Sequence, residues 1–264
     1  MILNLKYLLH LLLALPLFPL LWRQGKQIRL RVPELPPAAG DFGSVKSGRE
    51  EVGRALRLVT MGESTIAGIG VETHEEGFTG TLARSLSRHF GRAVQWRVLA
   101  RSGYTAAEVR DKLVPKLSAT EPDIVVIGLG GNDTFHFNPP WRWQQHIQSL
   151  VVAIRAQYEE AIILFTNMPP VGLFPAVTPL LRFFLGRQVQ LLGAALRRQI
   201  AGQDRLYYYN RPITWADWQE RLGIEAEPEE LFSDGVHPSK LTYQIWAEDI
   251  ARFAAKVLEK EGSL

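Results

Sequence analysis

From Ala55 onward the chain alternates between two hydrophobic rhythms. Short apolar runs recur at "ALRLVTM" (55–61), "AVQWRVLA" (93–100), "DIVVIGLG" (123–130), "AIILFTNM" (161–168) and "RLYYYN" (205–210), and they read as strands. The third is the most continuously apolar, as expected at the centre of a parallel sheet, where both faces are covered. Between the strands the pattern turns amphipathic. Phe78, Leu82, Leu86 and Phe90 recur at near-helical spacing within 77–90, and further helices are predicted over 105–117, 141–158, about 180–200 and 239–258. The second of these opens on Thr105 with Glu108 three residues later, a capping-box signature. Regular alternation of strand and helix predicts an α/β fold. Its form is a three-layer α/β/α sandwich around a mostly parallel five-stranded sheet, one domain over 55–264 without an internal repeat.

The N-terminus follows another pattern. "MILNLKYLLHLLLALPLFPLLWRQGKQIRLR" is a leucine-rich run followed by a basic cluster, and Tyr7 to Trp22 carries no formal charge if His10 is neutral. As a helix that stretch reaches roughly 24 Å, and starting from Ile2 or Leu3, with Lys6 snorkelling outward, it could span a ~30 Å hydrocarbon core. Pro16 and Pro19 would kink it, which membrane helices tolerate. A cleaved signal peptide expects its charge before the apolar run and a small-residue site after it. Here the charge follows and "LLWRQGK" is a poor site. Apolar residues on every face argue against a half-exposed soluble helix. Residues 1–22 therefore read as a membrane anchor, at a bacterial inner membrane. The cations after it favour a cytoplasmic domain, with the periplasm as alternative. An in-plane anchor would give the same side. Residues 23–54, basic and then rich in Pro and Gly, read as a linker.

Composition narrows the function classes. The 264 residues contain no cysteine, which excludes disulfides, thiolate metal sites and a cysteine nucleophile. The net charge of +3 is local: Lys6, Arg23, Lys26, Arg29 and Arg31 lie in an N-terminal stretch without acids, and the remaining 25 cations face 27 acids. A nearly neutral domain offers no electrostatic footprint for nucleic acid.

In an open parallel sheet, ligands bind beyond the carboxyl ends of the strands. After the first predicted strand comes "MGESTIAGIG", with Ser64 placed in a turn that would expose its Oγ. After the second comes "ARSGYTAAE", where the Gly103 N–H could face an anion unobstructed. After the third comes "GLGGNDT", with the Asn132 amide as a possible donor to an oxyanion. The last predicted helix is preceded by "SDGVHPS", in which Asp234 can orient His237. Each motif alone is as readily a turn or a helix cap; their joint occurrence at successive strand ends carries the argument.

These four blocks, in this order, resemble the SGNH (GDSL-type) esterase and lipase family: "GES" with Ser64, then Gly103, then "GGND" with Asn132, then "DGVHPS" with Asp234 and His237. The likeness covers roughly residues 55–258. One position departs from the pattern: the usual Asp before the serine is Glu63. The resemblance implies a flavodoxin-like SGNH fold and a serine esterase without cofactor or metal. Ser64 would attack an acyl carbonyl, His237 would take its proton and Asp234 would hold the imidazole. Ser64 N–H, Gly103 N–H and the Asn132 amide would form the oxyanion hole. Water would then release the acyl-enzyme. An acyltransferase or deacetylase on the same scaffold is the alternative, as is a silent lipid-binding scaffold.

Other features are weighed against plainer readings. His74 and His89 read as surface residues, His146 as a helix residue and His136 as loop packing, and no His, Asp and Glu spacing suggests a metal. "PPVGLFPAVTPLLRFFLG" (169–186) is unusually apolar for a loop and helix start. It suits an acyl-binding wall, a lid, a membrane contact or a helix buried on the sheet. "YYY" (207–209) reads as a buried strand with one outward phenol. The anchor and the apolar segment together favour lipidic esters, including lysophospholipids, as substrate.

Overall fold

The computed structural model describes residues 2–47, 53–222 and 228–262. Its centre is a six-stranded mixed sheet in the order β1-β3-β2-β4-β5-β6. The strands are β1 (Phe42–Val45), β2 (Leu56–Gly62), β3 (Val94–Ala100), β4 (Ile124–Gly128), β5 (Ile162–Phe165) and β6 (Leu206–Tyr208). β2 to β6 are mutually parallel and match the five predicted runs, while β1 pairs antiparallel with β3 along the edge, Phe42 opposite Arg97. The sheet is thus one strand larger than expected. β1 falls in the segment read as linker; its residues are half-buried or exposed and pair on one side only, so they carry no apolar period. Residues 48–52 of that segment lie outside the described residues.

Alternation of side chains across the pleat builds two cores. Val59, Met61, Val125, Ile127, Ile163 and Phe165 face α4 (Ala106–Lys112), α6 (Pro140–Arg155) and α7 (Pro179–Ile200). Leu58, Ile124, Val126, Ile162 and Leu164 face α3 (Phe78–Phe90) and α9 (Lys240–Lys260). α3 ends at Gly91, whose φ of +65° supplies the left-handed cap. The capping box opens α4 as predicted: Thr105 N–H donates to Glu108 Oε2 at 3.0 Å, and Glu108 N–H to Thr105 Oγ1 at 3.5 Å. Short helices α5 (Gly131–Phe135) and α8 (Trp215–Leu222) were not predicted; neither is long enough to show a period.

The N-terminal run is helical as α1 (Ile2–Ala14) and α2 (Phe18–Arg31), joined by a single 3₁₀ turn at Leu15–Leu17 that carries Pro16. α2 therefore continues into what read as linker. Leu3 and Tyr7 belong to the α6–α7 core, so this helix forms an outer layer on that face.

Chain order reverses around β2: the next strand lies on one side of it and the one after on the other. The crevice at such a switch point is where an α/β sheet can hold a ligand. The ends of β2, β3 and β4 meet there, and they carry Ser64, Gly103 and Asn132.

Candidate active site

The Asp234–His237 turn is built locally. Gly235 has φ +84°, a conformation that L side chains rarely adopt, and this bends the chain back on Asp234. Asp234 Oδ1 accepts the backbone N–H groups of Val236 at 2.9 Å and His237 at 2.7 Å. Oδ2 lies 2.7 Å from His237 Nδ1. The Asp234 side chain is fully enclosed and that of His237 is 17% exposed, and Nε2 is the ring nitrogen left outside the Asp234 pair. Burial pushes the Asp234 carboxyl up, but the His237 ring and the two N–H groups outweigh it and hold it below its ordinary value. This carboxylate stays ionised and fixes the tautomer with the proton on Nδ1.

Ser64 follows β2 in a run of tight turns and is half-buried. Its neighbours tie it to the other blocks. Glu63 is 4% exposed; its Oε1 accepts Gly131 N–H at 2.7 Å and its Oε2 accepts Asn132 N–H at 2.8 Å. Glu63 Oε2 also accepts Asn132 Nδ2 at 2.5 Å, and Nδ2 donates as well to the Tyr104 carbonyl at 3.1 Å. Both protons of the Asn132 amide therefore have protein acceptors. The paired glycines explain themselves here. Gly130 takes φ +121°, and a Cβ on Gly131 would stand 3.0 Å from Glu63 Oε1. Burial pushes Glu63 up to about 7, and the nearby Asp133 adds to the rise against the pull of its three donors.

Asp133 joins the third block to the second. It is fully buried, its Oδ2 accepts Ala106 N–H at the start of α4 at 2.9 Å, and its Oδ1 accepts Asn138 Nδ2 at 2.7 Å. Burial raises this carboxyl too. Sequence reasoning read Asn132 as an oxyanion donor and Asn132-Asp133 otherwise as a turn or a helix cap, and nothing in the local pattern reveals this long-range cap. Gly103 is exposed at the entry to α4 with φ +84° and open space where a Cβ would stand; its conformation, not its surroundings, requires glycine.

A cavity of about 670 Å³, counting its open mouth, adjoins the serine turn and the histidine turn. Glu63 and Thr65 on either side of Ser64, and Val236 and Pro238 on either side of His237, all contribute to its wall. Most of the rest is apolar, Leu129, Pro169, Pro170, Leu173, Phe174, Ile213, Trp218, Leu231, Phe232 and Trp246, with Thr166, Asn167 and Thr242 as polar neighbours. The 169–186 segment thus supplies one wall and then enters α7, with Val171, Phe174, Leu181, Phe184 and Leu185 buried. A lining of this kind suits an aliphatic group.

The remaining histidines divide. His89 is on the surface, 2.8 Å from Glu259. His74, expected at the surface, is 3% exposed and 3.6 Å from Asp41, because the lead-in to β1 covers it. His136 Nδ1 lies 2.7 Å from the Asn132 carbonyl. Among the described residues no group of three or more His, Asp or Glu converges as a metal site. The three tyrosines of 207–209 are half-buried, not buried; Tyr209 Oη donates to Asp249 at 3.0 Å, and burial pushes Tyr208 up to about 12.

A five-stranded parallel array with a sixth antiparallel edge and its switch point at β2 is an SGNH-hydrolase-like α/β fold. The chain belongs to the GDSL-like lipase/acylhydrolase family, whose model matches residues 60–245. It is 27% identical over 239 residues to the GDSL-like esterase Rv1075c of Mycobacterium tuberculosis, covering 87% of this chain and 74% of the relative. It is 30% identical over 118 residues to the esterase TesA of Pseudomonas aeruginosa, a match covering 44% of this chain and only 57% of that protein's length. A crystal structure of a protein called TesA superposes with a TM-score of 0.57 at 23% identity, over 78% of this chain and 99% of that one, a likeness of fold.

Proposed function

We propose that this protein hydrolyses lipidic carboxylic esters, lysophospholipids among them, through an acyl-enzyme on Ser64. His237 takes the Ser64 proton through Nε2 and later returns it to the leaving alkoxide. Asp234 holds the imidazole and stabilises the imidazolium. The acyl carbonyl carbon bonds to Oγ, the oxyanion collapses with loss of the alcohol, and water repeats the sequence to release the acid. Ser64 N–H, Gly103 N–H and Asn132 Nδ2 are the oxyanion donors in this reading. Asn132 reaches the oxyanion by sharing a proton now directed at Glu63 or the Tyr104 carbonyl.

One observation carries the reading: Asp234, its side chain enclosed, lies 2.7 Å from His237 Nδ1 in a turn whose Val236 and Pro238 line the same apolar cavity as Glu63 and Thr65, the neighbours of Ser64. The apolar wall supports an acyl chain over a sugar acetate, and the leucine-rich N-terminal helix supports a substrate met at a membrane. Hydrolysis of p-nitrophenyl esters of increasing chain length by the protein and by Ser64→Ala tests it. Activity lost in the variant and rising with chain length is expected. Activity retained by Ser64→Ala, or confined to acetate, overturns the proposal.

A further inference from the structure

The N-terminal helix does not stand apart from the domain. Leu3, Tyr7, His10, Ala14 and Leu21 are buried, and Leu17, Gln24 and Ile28 are half-buried. Those positions step by four and three residues in turn, a heptad seam that runs the length of α1 and α2. The seam lies along α6, α7 and the 137–139 loop between α5 and α6. Near one end Tyr7 Oη donates to the Phe137 carbonyl at 2.8 Å and its ring meets Trp141 edge-on at 5.3 Å. Next along, the His10 ring packs 6.2 Å from that of Phe137 and 5.4 Å from that of Phe184. Towards the other end Thr178 Oγ1 donates to Gln24 Oε1 at 2.6 Å. Ala14 and Leu21 share one apolar cluster with Val171, Phe174 and Phe184, so the helix backs the segment that walls the active-site cavity.

Away from the seam the helix is apolar and exposed. Ile2, Leu5, Leu8, Leu12, Leu15 and Trp22 are each more than half exposed, far beyond the scattered apolar residues of an ordinary surface. Cations then take over: Arg23, Lys26 and Arg31 are exposed, with Lys26 Nζ stacked 3.7 Å over the Trp22 ring, and no acid precedes Glu34. An apolar band edged by cations is complementary to the acyl chains and headgroups of an anionic leaflet. A docked helix cannot also cross the bilayer at little cost. α6 and α7 would be drawn into hydrocarbon with it, carrying the exposed Arg142 and Arg187. An undocked spanning helix would strip Tyr7, His10 and Gln24 of their protein contacts and face them to lipid.

We infer that the helix lies in the plane of an anionic leaflet, docked by its heptad seam on α6 and α7, so that the domain holds its cavity wall against the membrane surface. The site would then draw its ester from the leaflet; only this last clause rests on the function proposed above.

The chain has no cysteine, so single cysteines at Leu5, Leu12 and Leu20 give unambiguous labelling with an environment-sensitive fluorophore. In the full chain, on vesicles of phosphatidylcholine with phosphatidylglycerol, depth-resolved quenching is expected to place all three labels at one shallow depth. A spanning helix would spread them over roughly 22 Å, passing through the midplane, and that result overturns the inference. So does the absence of lipid quenching, the outcome if another protein or a second copy covers this face. Arg23→Gln with Lys26→Gln should weaken binding to anionic vesicles about 30-fold and leave binding to neutral ones unchanged; equal binding to both removes the anionic leaflet from the inference. Leu5→Gln with Leu8→Gln and Leu12→Gln should release the protein from vesicles while a soluble short-chain ester is still hydrolysed at the wild-type rate. Ser64→Ala should give the same depth profile as wild type. Loss of all esterase activity therefore bears on the proposed function alone, and a spanning depth profile on this inference alone.

Discussion

Glu63→Gln should remove a pH-dependent loss of stability and, at the same time, make the protein much slower. The stability change follows from linkage. Burial raises the Glu63 carboxyl from an ordinary 4.5 to about 7 in the folded state, so the folded protein holds that proton more tightly than the unfolded chain does. The associated stability is fully present below pH 4.5 and is lost as pH rises to about 7, beyond which a buried carboxylate must be carried. At about 1.4 kcal/mol per pH unit the loss is on the order of 3 kcal/mol. Glutamine has no such slope. Unfolding curves of the two proteins in mild detergent should therefore diverge in favour of the variant by about 3 kcal/mol between pH 4.5 and 7.5. The rate moves the other way. Glu63 accepts from Gly131 N–H, Asn132 N–H and Asn132 Nδ2, whereas a glutamine has one acceptor oxygen and turns a donor toward the rest. Asn132 then loses its fixed orientation, and kcat should fall on the order of 10²–10³ with KM little changed, as for a lost oxyanion donor. Parallel pH–stability curves, or a kcat within a few-fold of wild type, would refute the reasoning.

Asp234→Asn keeps the shape of the turn but can present a donor to His237 Nδ1, and it favours the wrong tautomer. Steady-state kinetics should show kcat down by about 10³–10⁴. The depressed Asp234 carboxyl also contributes stability that is present above its unfolded value and disappears as pH falls through its lower folded value. The acid limb of unfolding should therefore shift upward when the Asp234 turn is weakened by Gly235→Ala, which places an L side chain at φ +84° and 3.0 Å from the Ala176 Cβ. Gly62→Ala would put a methyl 2.1 Å from the Gly128 carbonyl, between the two central strands. It should cost several kcal/mol and lower the melting temperature by ~10 °C or more in a thermal scan.

The alternation of strand and helix was legible because parallel strands covered on both faces must be apolar throughout. β4, with all five residues buried, reads as a strand without any knowledge of its neighbours. Local hydrogen-bonded devices were legible for the same reason: the Thr105–Glu108 box and the Asp234–His237 turn close over three residues, so spacing alone specifies them. Other features belong to the folded chain only. β1 is an edge strand whose sole strand partner among the described residues is β3, and its four residues carry no period to detect. His74 is buried by a lead-in that looks like linker. The heptad seam of the first helix was invisible because leucines occupy nearly every face, and only the surface of α6 and α7 selects which of them are covered. Glu63 is the sharpest case. The sequence shows a carboxylate one methylene longer than the pattern of its family; that it meets the backbone of Gly131 and both nitrogens of Asn132 depends on the meeting of two strand ends 68 residues apart. Short-range order is written in spacing, whereas contacts across the sheet are decided by register and topology, which no local run of residues contains.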